Sequence, residues 1–259
     1  MAETVIEVEK LSVTLPTPNG QLNAVHEVNC RLSRGESIGI VGESGSGKSM
    51  TALAVMNLLP RNGKRTAKKL QMLNNDLLSM PAAAFSRSLA GQRVGMIFQE
   101  PMTALNPVYT IGRQLTETVV SAGLMSELTA RKNAITLLDR VGLADPTARF
   151  EQYPHQFSGG QRQRVMIAMA LMTEPDLIIA DEPTTALDVT IQAQILKLLA
   201  DIQREFGMAM ILITHDLGVV AQTVNKMAVM YAGEFVETGP VADVCLLYTS
   251  PSPRDLARS

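Results

Sequence analysis

The sequence predicts an α/β fold: a mostly parallel sheet, a small antiparallel β layer at its start, and a helical segment inserted in its middle. Three observations support this prediction. Short apolar runs alternate with helical stretches at 36–59 and again after residue 175, as in parallel sheets with helical crossovers. Two alternating segments near the N-terminus flank the turn "PTPNG", which is typical of an antiparallel pair. From about 101 to 175 strand signals are few and helical spacing prevails.

Composition excludes several classes of protein. The chain has 259 residues, of which 46% are hydrophobic, so it can form a substantial core. A net charge of −2 without long like-charge runs argues against a general nucleic-acid binder. The N-terminus lacks the apolar stretch of a signal peptide, and no apolar run approaches the roughly 20 residues that span a bilayer. We therefore expect a soluble protein that reaches a membrane only through a partner. Cys30 and Cys245 form no disulfide framework, which favours a reducing compartment.

The elements are justified in chain order. Residues 3–13 and 24–32 are predicted strands, "ESIGIV" is a buried strand, and a helix is expected over 48–59. "RVGMIF" is a further strand, and "IGRQLTETVVSAG" and "LTARKNAITLLDRVG" are helices closed by glycine. "DLIIA", "MAMILIT" and "KMAVMY" are strands around a helix that Asp188 caps and Gly207 ends. The predicted buried stripe of that helix is Ile195, Leu198, Leu199, Ile202 and Phe206.

The stretch "GESGSGKS" fits the phosphate-binding loop (P-loop) pattern and lies between a predicted strand and a predicted helix. Gly42, Gly45 and Gly47 allow the backbone to turn its N–H groups towards a polyphosphate, and the helix N-terminus favours anions. We expect Lys48 to reach the terminal phosphates and the Ser49 hydroxyl to bind Mg²⁺. The alternative is a glycine-rich turn with a solvated lysine.

Polar side chains follow three of the predicted strands. Asp181 and Glu182 follow "DLIIA", His215 ends the next strand, and Gln99 follows "RVGMIF". Ligands of open parallel sheets bind at the carboxyl ends of the strands, so we expect these groups to meet the P-loop. There Asp181 could hold Mg²⁺ and Glu182 could polarise the attacking water. The alternatives are a helix cap for the acidic pair and structural roles for His215 and Gln99.

A second anion-binding helix start is predicted at "FSGGQRQRVMIAMALM", where Ser158 is the cap. It precedes the acidic pair by roughly twenty residues, so one sheet cannot easily fold it back onto the same phosphate. Two copies placed head to tail could bring it there. The alternative is an ordinary loop with a helix cap.

Five motifs occur in a characteristic order: "GESGSGKS", "FSGGQ", "IIADE", "TALD" and "THD". They resemble the Walker A, signature, Walker B, D-loop and switch-histidine motifs of ATP-binding-cassette (ABC) ATPases, with Gln99 in the Q-loop position. The resemblance covers residues 1 to about 244 and implies a RecA-like P-loop core. "IFQEPMTALNP", "YPHQFSGGQRQRVMIAMAL" and "ADEPTTALDVTIQAQIL" are similar to the importers of dipeptides, oligopeptides and glutathione.

The resemblance implies roles for particular residues. Glu182 acts as general base or water-orienting group, His215 contacts the γ-phosphate, and Gln99 and Lys48 complete the catalytic set. Mg²⁺ is held by Ser49, Gln99 and Asp181. ATP is contacted by Gly42, Glu43, Ser44, Gly45, Ser46, Gly47, Lys48, Ser49 and Met50, and by Ser158, Gly159 and Gly160 of a second cassette. Gln161 and Asp188 are also implied to bind the nucleotide.

The resemblance also implies a working cycle and partners. Two cassettes, identical or different, sandwich two ATP molecules; closure is the power stroke and hydrolysis reopens the pair. The other partners are integral-membrane permease subunits, contacted through Gln99 and the helical segment, and indirectly an extracytoplasmic substrate-binding protein; no nucleic acid is expected. The implied location is the cytoplasmic face of the bacterial inner membrane, as a peripheral subunit that powers peptide or glutathione uptake by ATP hydrolysis.

The implied domain is a nucleotide-binding domain over 1–244, with a β and P-loop part at 1–100 and 176–244 and a helical signature part at 101–175. The alternative is a non-transport ABC ATPase acting on ribosomes or DNA. That class usually has paired cassettes, a charged linker, a zinc insert or a coiled coil, none of which the sequence indicates. A plain P-loop kinase or GTPase has no use for "SGGQ" or "THD".

Two departures from the family pattern stand out. Phe157 occupies the position where the signature usually has Leu, and we expect this apolar exchange to be tolerated. Residues 1–41 contain no Phe, Tyr or Trp, although the family commonly stacks adenine on an aromatic from this segment. Leu15 and His26 are the candidates to replace that ring by packing, with less stacking energy.

The C-terminal stretch "CLLYTSPSPRD" differs from the rest of the chain. These eleven residues match one translation frame of a common transposase-type sequencing-library adapter. A Ser- and Pro-rich linker would explain the composition but not the identity. We therefore expect residues 245–259 to be a non-native tail, so that the native sequence after Val244 is not given by this chain.

Overall fold

The computed structural model describes residues 3–18, 20–99, 104–185 and 187–244. The predicted non-native tail at 245–259 lies outside the described residues. Within them the strands form two sheets, one antiparallel and one mostly parallel, and helices pack against the parallel sheet. The predicted α/β architecture is confirmed.

The antiparallel sheet begins with a long hairpin. Strand β1 (Thr4–Thr17) pairs with β2 (Gly20–Ser33) over nearly its whole length, so the predicted pair is confirmed and extends to the turn. Three short strands on the other side of β1 are not predicted by the sequence, because segments of two to four residues have too few alternations to be recognised. They are β4 (Lys64–Thr66), β5 (Lys69–Met72) and β6 (Asn75–Asp76).

The second sheet has six strands in the order β11-β10-β3-β9-β8-β7. The five strands from β10 to β7 are parallel, and β11 pairs antiparallel at one edge. The carboxyl ends of the parallel strands therefore lie along a single edge of the sheet. The strands are β3 (Ser37–Val41), β7 (Val94–Ile97), β8 (Leu177–Asp181), β9 (Ala209–Thr214), β10 (Lys226–Tyr231) and β11 (Glu234–Pro240).

The middle of the chain is helical, as predicted. In the part of the chain that the structure covers, no helix is both long and apolar enough to cross a membrane. The helices are α1 (Lys48–Val55), α2 (Ala82–Ser88), α3 (Ile111–Ser121), α4 (Glu127–Arg140), α5 (Pro146–Phe150), α6 (Gly159–Leu171), α7 (Val189–Phe206) and α8 (Leu217–Thr223), with a 3₁₀ turn at Pro154–Gln156.

Helix α1 is shorter than predicted, and the expected span of 48–59 is wrong. It ends at Val55 because Asn57 adopts a left-handed conformation with φ 56°. The N–H of Leu58 then donates to the carbonyl of Leu53 at 2.8 Å, which closes the helix end in the manner of a Schellman motif. Apolar spacing continues through this turn and does not reveal it.

Helix α7 has the ends that the sequence predicts. The Asp188 carboxylate accepts a hydrogen bond from the N–H of Ile191 at 2.9 Å, and Gly207 ends the helix with φ 60°. Asp is a favoured N-cap and Gly a favoured C-terminal residue. Of the predicted stripe, three residues are buried and Leu198 and Phe206 are partly buried.

The parallel sheet separates two hydrophobic cores. On one face Ile178 and Ala180 of β8 pack with helices α3 to α8. On the other face Leu177 and Ile179 pack with helix α1 and the antiparallel sheet. Burial on both faces explains why the strand is a continuous apolar run. It leaves the carboxyl edge as the place where polar side chains can gather.

Candidate active site

The P-loop needs its three glycines for different reasons. Gly45 and Gly47 have φ values of 81° and 107°, which side chains with a Cβ rarely adopt. A Cβ on Gly42 would lie 2.2 Å from the carbonyl oxygen of Met230 in the neighbouring strand. A Cβ on Gly47 would lie 2.4 Å from the carbonyl of Ala24. The loop is thus held between β2 and β10 with its backbone closely packed.

Polar groups of the loop are arranged to receive an anion. Lys48 is buried, and its Nζ donates to the carbonyls of Gly42 and Glu43, both at 2.8 Å. Helix α1 begins after Gly47 without a side-chain cap, so its first N–H groups have no capping partner. The buried Ser46 Oγ has no hydrogen-bond partner among the described residues. These features fit a polyphosphate.

A hydroxyl and a carboxylate meet beside the loop. Ser49 Oγ donates to Asp181 Oδ1 at 3.0 Å, joining helix α1 to the end of β8. Burial raises the pKa of Asp181, while the Ser49 hydrogen bond opposes that shift and the charge of Glu182 adds to it. Oxygen donors of this kind suit Mg²⁺ bound together with phosphates. Over the described residues no three His, Cys, Asp or Glu side chains form a metal site of their own.

The predicted polar residues at the strand ends converge on one carboxylate. Gln99 Nε2 donates to Glu182 Oε2 at 3.1 Å, and His215 Nδ1 lies 3.7 Å from the same oxygen. The Glu182 side chain is 16% exposed, whereas that of His215 is 68% exposed. The ends of β7, β8 and β9 therefore bring together a part-buried carboxylate, an amide and an accessible imidazole.

Thr185 begins the "TALD" motif, but the sequence indicates no role for its side chain. Its hydroxyl lies 3.1 Å from Glu182 Oε2 and 3.1 Å from the carbonyl oxygen of Glu182. The signal in the sequence is a hydroxyl residue three positions after the second acid, in "DEPTT". That spacing is common in turns, so it identifies the contact only once the backbone conformation is known.

The signature segment begins helix α6 as predicted. Ser158 Oγ accepts from the N–H of Gln161 at 3.3 Å, and Gln161 Oε1 accepts from the N–H of Ser158 at 3.0 Å, which is a capping box. A Cβ on Gly160 would lie 2.9 Å from Cγ2 of Ile191, so α6 and the start of α7 approach closely. Among the described residues, no hydrogen bond or ion pair joins 158–161 to the P-loop.

The remaining predicted residues lie around these groups. Glu43 and Ser44 are exposed at the tip of the P-loop, and the side chain of Met50 packs partly against the second core. Gly159 belongs to the first turn of α6. Asp188 caps α7 next to the residues that Gly160 approaches.

The two candidates for the adenine contact differ in position. The N–H of His26 donates to the carbonyl of Gly233, whose own N–H donates to the carbonyl of Ser46 in the P-loop. The His26 ring is exposed and pairs with Glu234 at 2.8 Å. Leu15 packs partly against the second core. The backbone of His26 is therefore connected to the P-loop backbone through Gly233.

The fold and this site together define a P-loop nucleoside triphosphatase: a phosphate cradle, a hydroxyl and aspartate beside it, and a part-buried glutamate at one sheet edge. Comparison with known proteins identifies the family. The profile of the family described as "ABC transporter" matches residues 25–185, and the chain belongs to this family. It is accordingly an ATPase cassette.

Two curated relatives match most of the chain. The chain is 51% identical over 243 residues to the dipeptide transport ATP-binding protein DppD of Bacillus subtilis, covering 93% of this chain and 72% of the relative. It is 49% identical over 243 residues to the oligopeptide transport ATP-binding protein OppD of Salmonella typhimurium, covering 94% and 72%.

Solved structures show the same fold. The dimeric post-hydrolysis state of the cassette MJ0796, bound to ADP and Pi, matches with a TM-score of 0.76 and 27% identity, covering 91% of this chain and 98% of that one. The protein cbiO1 from Clostridium perfringens, part of the transporter complex cbiONQ, matches with a TM-score of 0.80 and 26% identity, covering 99% and 94%.

Proposed function

We propose that this chain is the ATP-hydrolysing subunit of an importer that takes up dipeptides or oligopeptides. The observation that carries the proposal is the P-loop with Glu182 beside it, held by Gln99 and next to His215. The names of the relatives concern dipeptide and oligopeptide transport, which supports peptides as the cargo. Glutathione is the other cargo that the sequence predicts.

In this proposal different residues bind the phosphates, hold Mg²⁺ and accept the proton from water. Lys48 and the N–H groups at the start of α1 hold the phosphates. Ser49, Asp181 and Gln99 would hold Mg²⁺, which when bound neutralises charge on the phosphates. Glu182 accepts a proton from water as the water oxygen bonds to the γ-phosphorus and the bond to the leaving oxygen breaks, which yields ADP and phosphate. His215 is exposed and contacts the γ-phosphate.

A second cassette completes the site. Ser158, Gly159 and Gly160 begin a capped helix, and within the described part of the chain they make no hydrogen bond to the P-loop. In a head-to-tail dimer this helix start reaches the phosphates bound by the other cassette. The dimeric structure of the similar cassette supports such a pair; the partner is a second copy, a paralogue or the other half of a longer chain.

Permease subunits are the membrane partners in this proposal. A groove of about 760 Å³ adjoins Ser49, Gln99 and Asp181, and its apolar wall suits an amphipathic helix of a permease. We place one part of the cassette, 1–100 together with 176–244, on one side of this groove. The other part, 101–175, lies on the opposite side. The chain then works peripherally at the cytoplasmic face, and the substrate-binding protein contacts the permease. The apolar wall includes Met56, Met96, Phe98, Met166, Met169 and Met172.

The first test is Glu182→Gln in the full chain. Because this change removes the proton acceptor and keeps the shape, ATP binding is expected to stay unchanged while hydrolysis falls at least about a hundredfold. Binding of labelled ATP and phosphate release measure the two effects. Glu117→Gln on the exposed face of α3 is the matched control and should behave like the wild type. Normal hydrolysis by Glu182→Gln would refute the role of Glu182.

The cargo is tested with the permease subunits in lipid vesicles. Dipeptides or oligopeptides, presented with their binding protein on the opposite side of the membrane, are expected to stimulate hydrolysis and to accumulate on the side of the cassette's ATP site. Stimulation by glutathione and not by peptides would identify glutathione as the cargo. Association with ribosomes or DNA, without any membrane partner, would favour the non-transport alternative.

A further inference from the structure

We propose that Thr185 is a positioning residue for Glu182. Its hydroxyl holds one carboxylate oxygen so that the other is presented to the attacking water. This inference rests on the proposed hydrolysis of ATP by this chain and concerns the same site. It assigns a role to a residue that lies outside the phosphate cradle.

The contact is short and local. Thr185 Oγ1 lies 3.1 Å from Glu182 Oε2 and 3.1 Å from the carbonyl oxygen of Glu182, so its one hydrogen is shared between them. The N–H of Thr185 also donates to that carbonyl at 3.2 Å. The backbone bond alone closes the turn, which leaves the hydroxyl available for the carboxylate.

The backbone on both sides of this contact is held. Glu182 has a φ of 44°, and its N–H donates to the carbonyl of Ile213 at 2.9 Å. A glutamate in this left-handed region is strained, and such strain is kept where the surrounding structure imposes it. On the other side, Gln192 Nε2 donates to the carbonyl of Thr184 at 3.2 Å. The turn at 182–185 is therefore a fixed platform for the Thr185 hydroxyl.

The two carboxylate oxygens have different surroundings. Gln99 and Thr185 both donate to Oε2, and among the described residues none donates to Oε1 of Glu182. Anchoring Oε2 limits rotation of the side chain and leaves Oε1 to accept a proton from water. Holding a reacting group in one orientation lowers the barrier, because the orientation no longer has to be found in each turnover.

Threonine to valine is the decisive substitution because it keeps the shape and removes the donor. In the full chain, Thr185→Val is expected to lower kcat for ATP hydrolysis about tenfold or more, in line with the loss of one hydrogen bond to a charged group. KM for ATP and the melting temperature should stay unchanged, because among the described residues the Thr185 hydroxyl bonds only to Glu182 and Thr185 belongs to neither hydrophobic core. Thr185→Ser keeps the donor and should retain the wild-type kcat.

A matched control is available on helix α4. Thr136 is exposed, and its hydroxyl donates to the carbonyl of Lys132 at 3.0 Å. Thr136→Val makes the same chemical change away from the sheet edge and should leave kcat unchanged. It reports any general effect of replacing a threonine hydroxyl.

The outcomes separate this inference from the proposed function. A normal kcat in Thr185→Val overturns the inference. A fall in kcat that Thr185→Ser shares, or that accompanies a lower melting temperature, assigns the hydroxyl a purely structural role and also overturns it. A wild-type chain without ATP hydrolysis overturns the proposed function itself, and this is seen before any variant is compared.

Discussion

At the scale of single residues, strand β8 has a buried aspartate at each of its ends. Burial opposes the ionisation of Asp176, but hydrogen bonds and charge from Arg93 and Arg34 outweigh it and hold the pKa of this carboxyl below its usual range. At the other end burial prevails and raises the pKa of Asp181, which only the Ser49 hydroxyl and the Lys48 charge oppose. The amino end is thus built for stability, and the carboxyl end keeps a carboxylate for a ligand.

We predict that Asp176 makes the free energy of unfolding depend on pH in the acidic range. Because its pKa is lowered in the folded state, its contribution is present above about pH 4 and is lost as the pH falls through the folded pKa. Asp176→Asn should lower the free energy of unfolding by about 2 kcal/mol at pH 7, since two hydrogen bonds to a charged group are weakened. Urea unfolding at pH 7, 4 and 3 measures this.

Asp139→Asn on the exposed face of α4 is the control for this measurement. It should unfold as the wild type does at every pH. The prediction is contradicted if the free energy of unfolding of Asp176→Asn falls as much as that of the wild type when the pH is lowered from 4 to 3.

The site residues differ in how far the sequence predicts them. Gln99, Glu182 and His215 are expected at one sheet edge because each follows an apolar run, and the structure brings them together. Thr185 is not expected there, because its contact depends on the left-handed conformation of Glu182. Backbone conformations of this kind are set by packing and leave no pattern in the sequence.

At the scale of elements, helices α4 and α6 begin in nearly the same way. Ser126 Oγ accepts from the N–H of Thr129 at 3.2 Å, and Ser158 Oγ accepts from the N–H of Gln161 at 3.3 Å. The sequence predicts the cap at Ser158 from its position before an apolar-periodic helix. The capping box with Gln161 and the glycines after Ser158 distinguish the two starts, and the glycines leave this helix end without side chains that would cover it.

We predict that the Ser126 cap contributes to stability alone, whereas the Ser158 cap contributes to both stability and ATP hydrolysis. Ser126→Ala and Ser158→Ala should each lower the free energy of unfolding by about 1 kcal/mol, because each removes an N-cap acceptor. ATP hydrolysis by the dimer should fall in Ser158→Ala alone, because this helix start faces the partner's ATP in the proposed dimer. Chemical unfolding measures the stability of the two variants, and phosphate release measures their ATP hydrolysis. Equal losses of hydrolysis in both variants would contradict the role of Ser158.

Element boundaries show where sequence patterns stop being informative. The ends of α7 are predicted because Asp188 and Gly207 carry the end signals themselves. The end of α1 is missed because the apolar run resumes at Leu58 after Asn57, while the backbone already turns away at Asn57. Short strands such as β6 exist only because a neighbouring strand offers them a partner.

At the scale of the whole molecule, the groove beside the active site belongs to no single element. Its wall combines residues of α1, β7 and α6 with the segment that follows β7. Methionine side chains dominate it, and these adapt to differently shaped apolar partners. The groove reaches Ser49, Gln99 and Asp181, so a helix bound there would lie next to the groups proposed to hold the nucleotide and its Mg²⁺.

We predict that a charge introduced into this groove prevents assembly with the permease subunits and leaves nucleotide binding unchanged. Met169→Lys should abolish co-purification with the permease subunits, because the ammonium group would be buried without a partner on docking. ATP binding by the isolated chain should be unchanged. Leu78→Lys is the control, since this leucine is exposed and lies outside the groove. Normal assembly of Met169→Lys would show that the permease binds elsewhere.

The sequence by itself determined the fold class, the P-loop and the order of the motifs, because strand and helix periods and glycine requirements are local properties of the chain. Only the tertiary structure decided which groups contact Glu182 and where α1 ends. It also decided that, over the residues that the structure describes, the start of the signature helix makes no hydrogen bond to its own P-loop. Contacts between residues that are far apart along the chain depend on the register and packing of whole elements. Short-range patterns in a sequence do not contain that information.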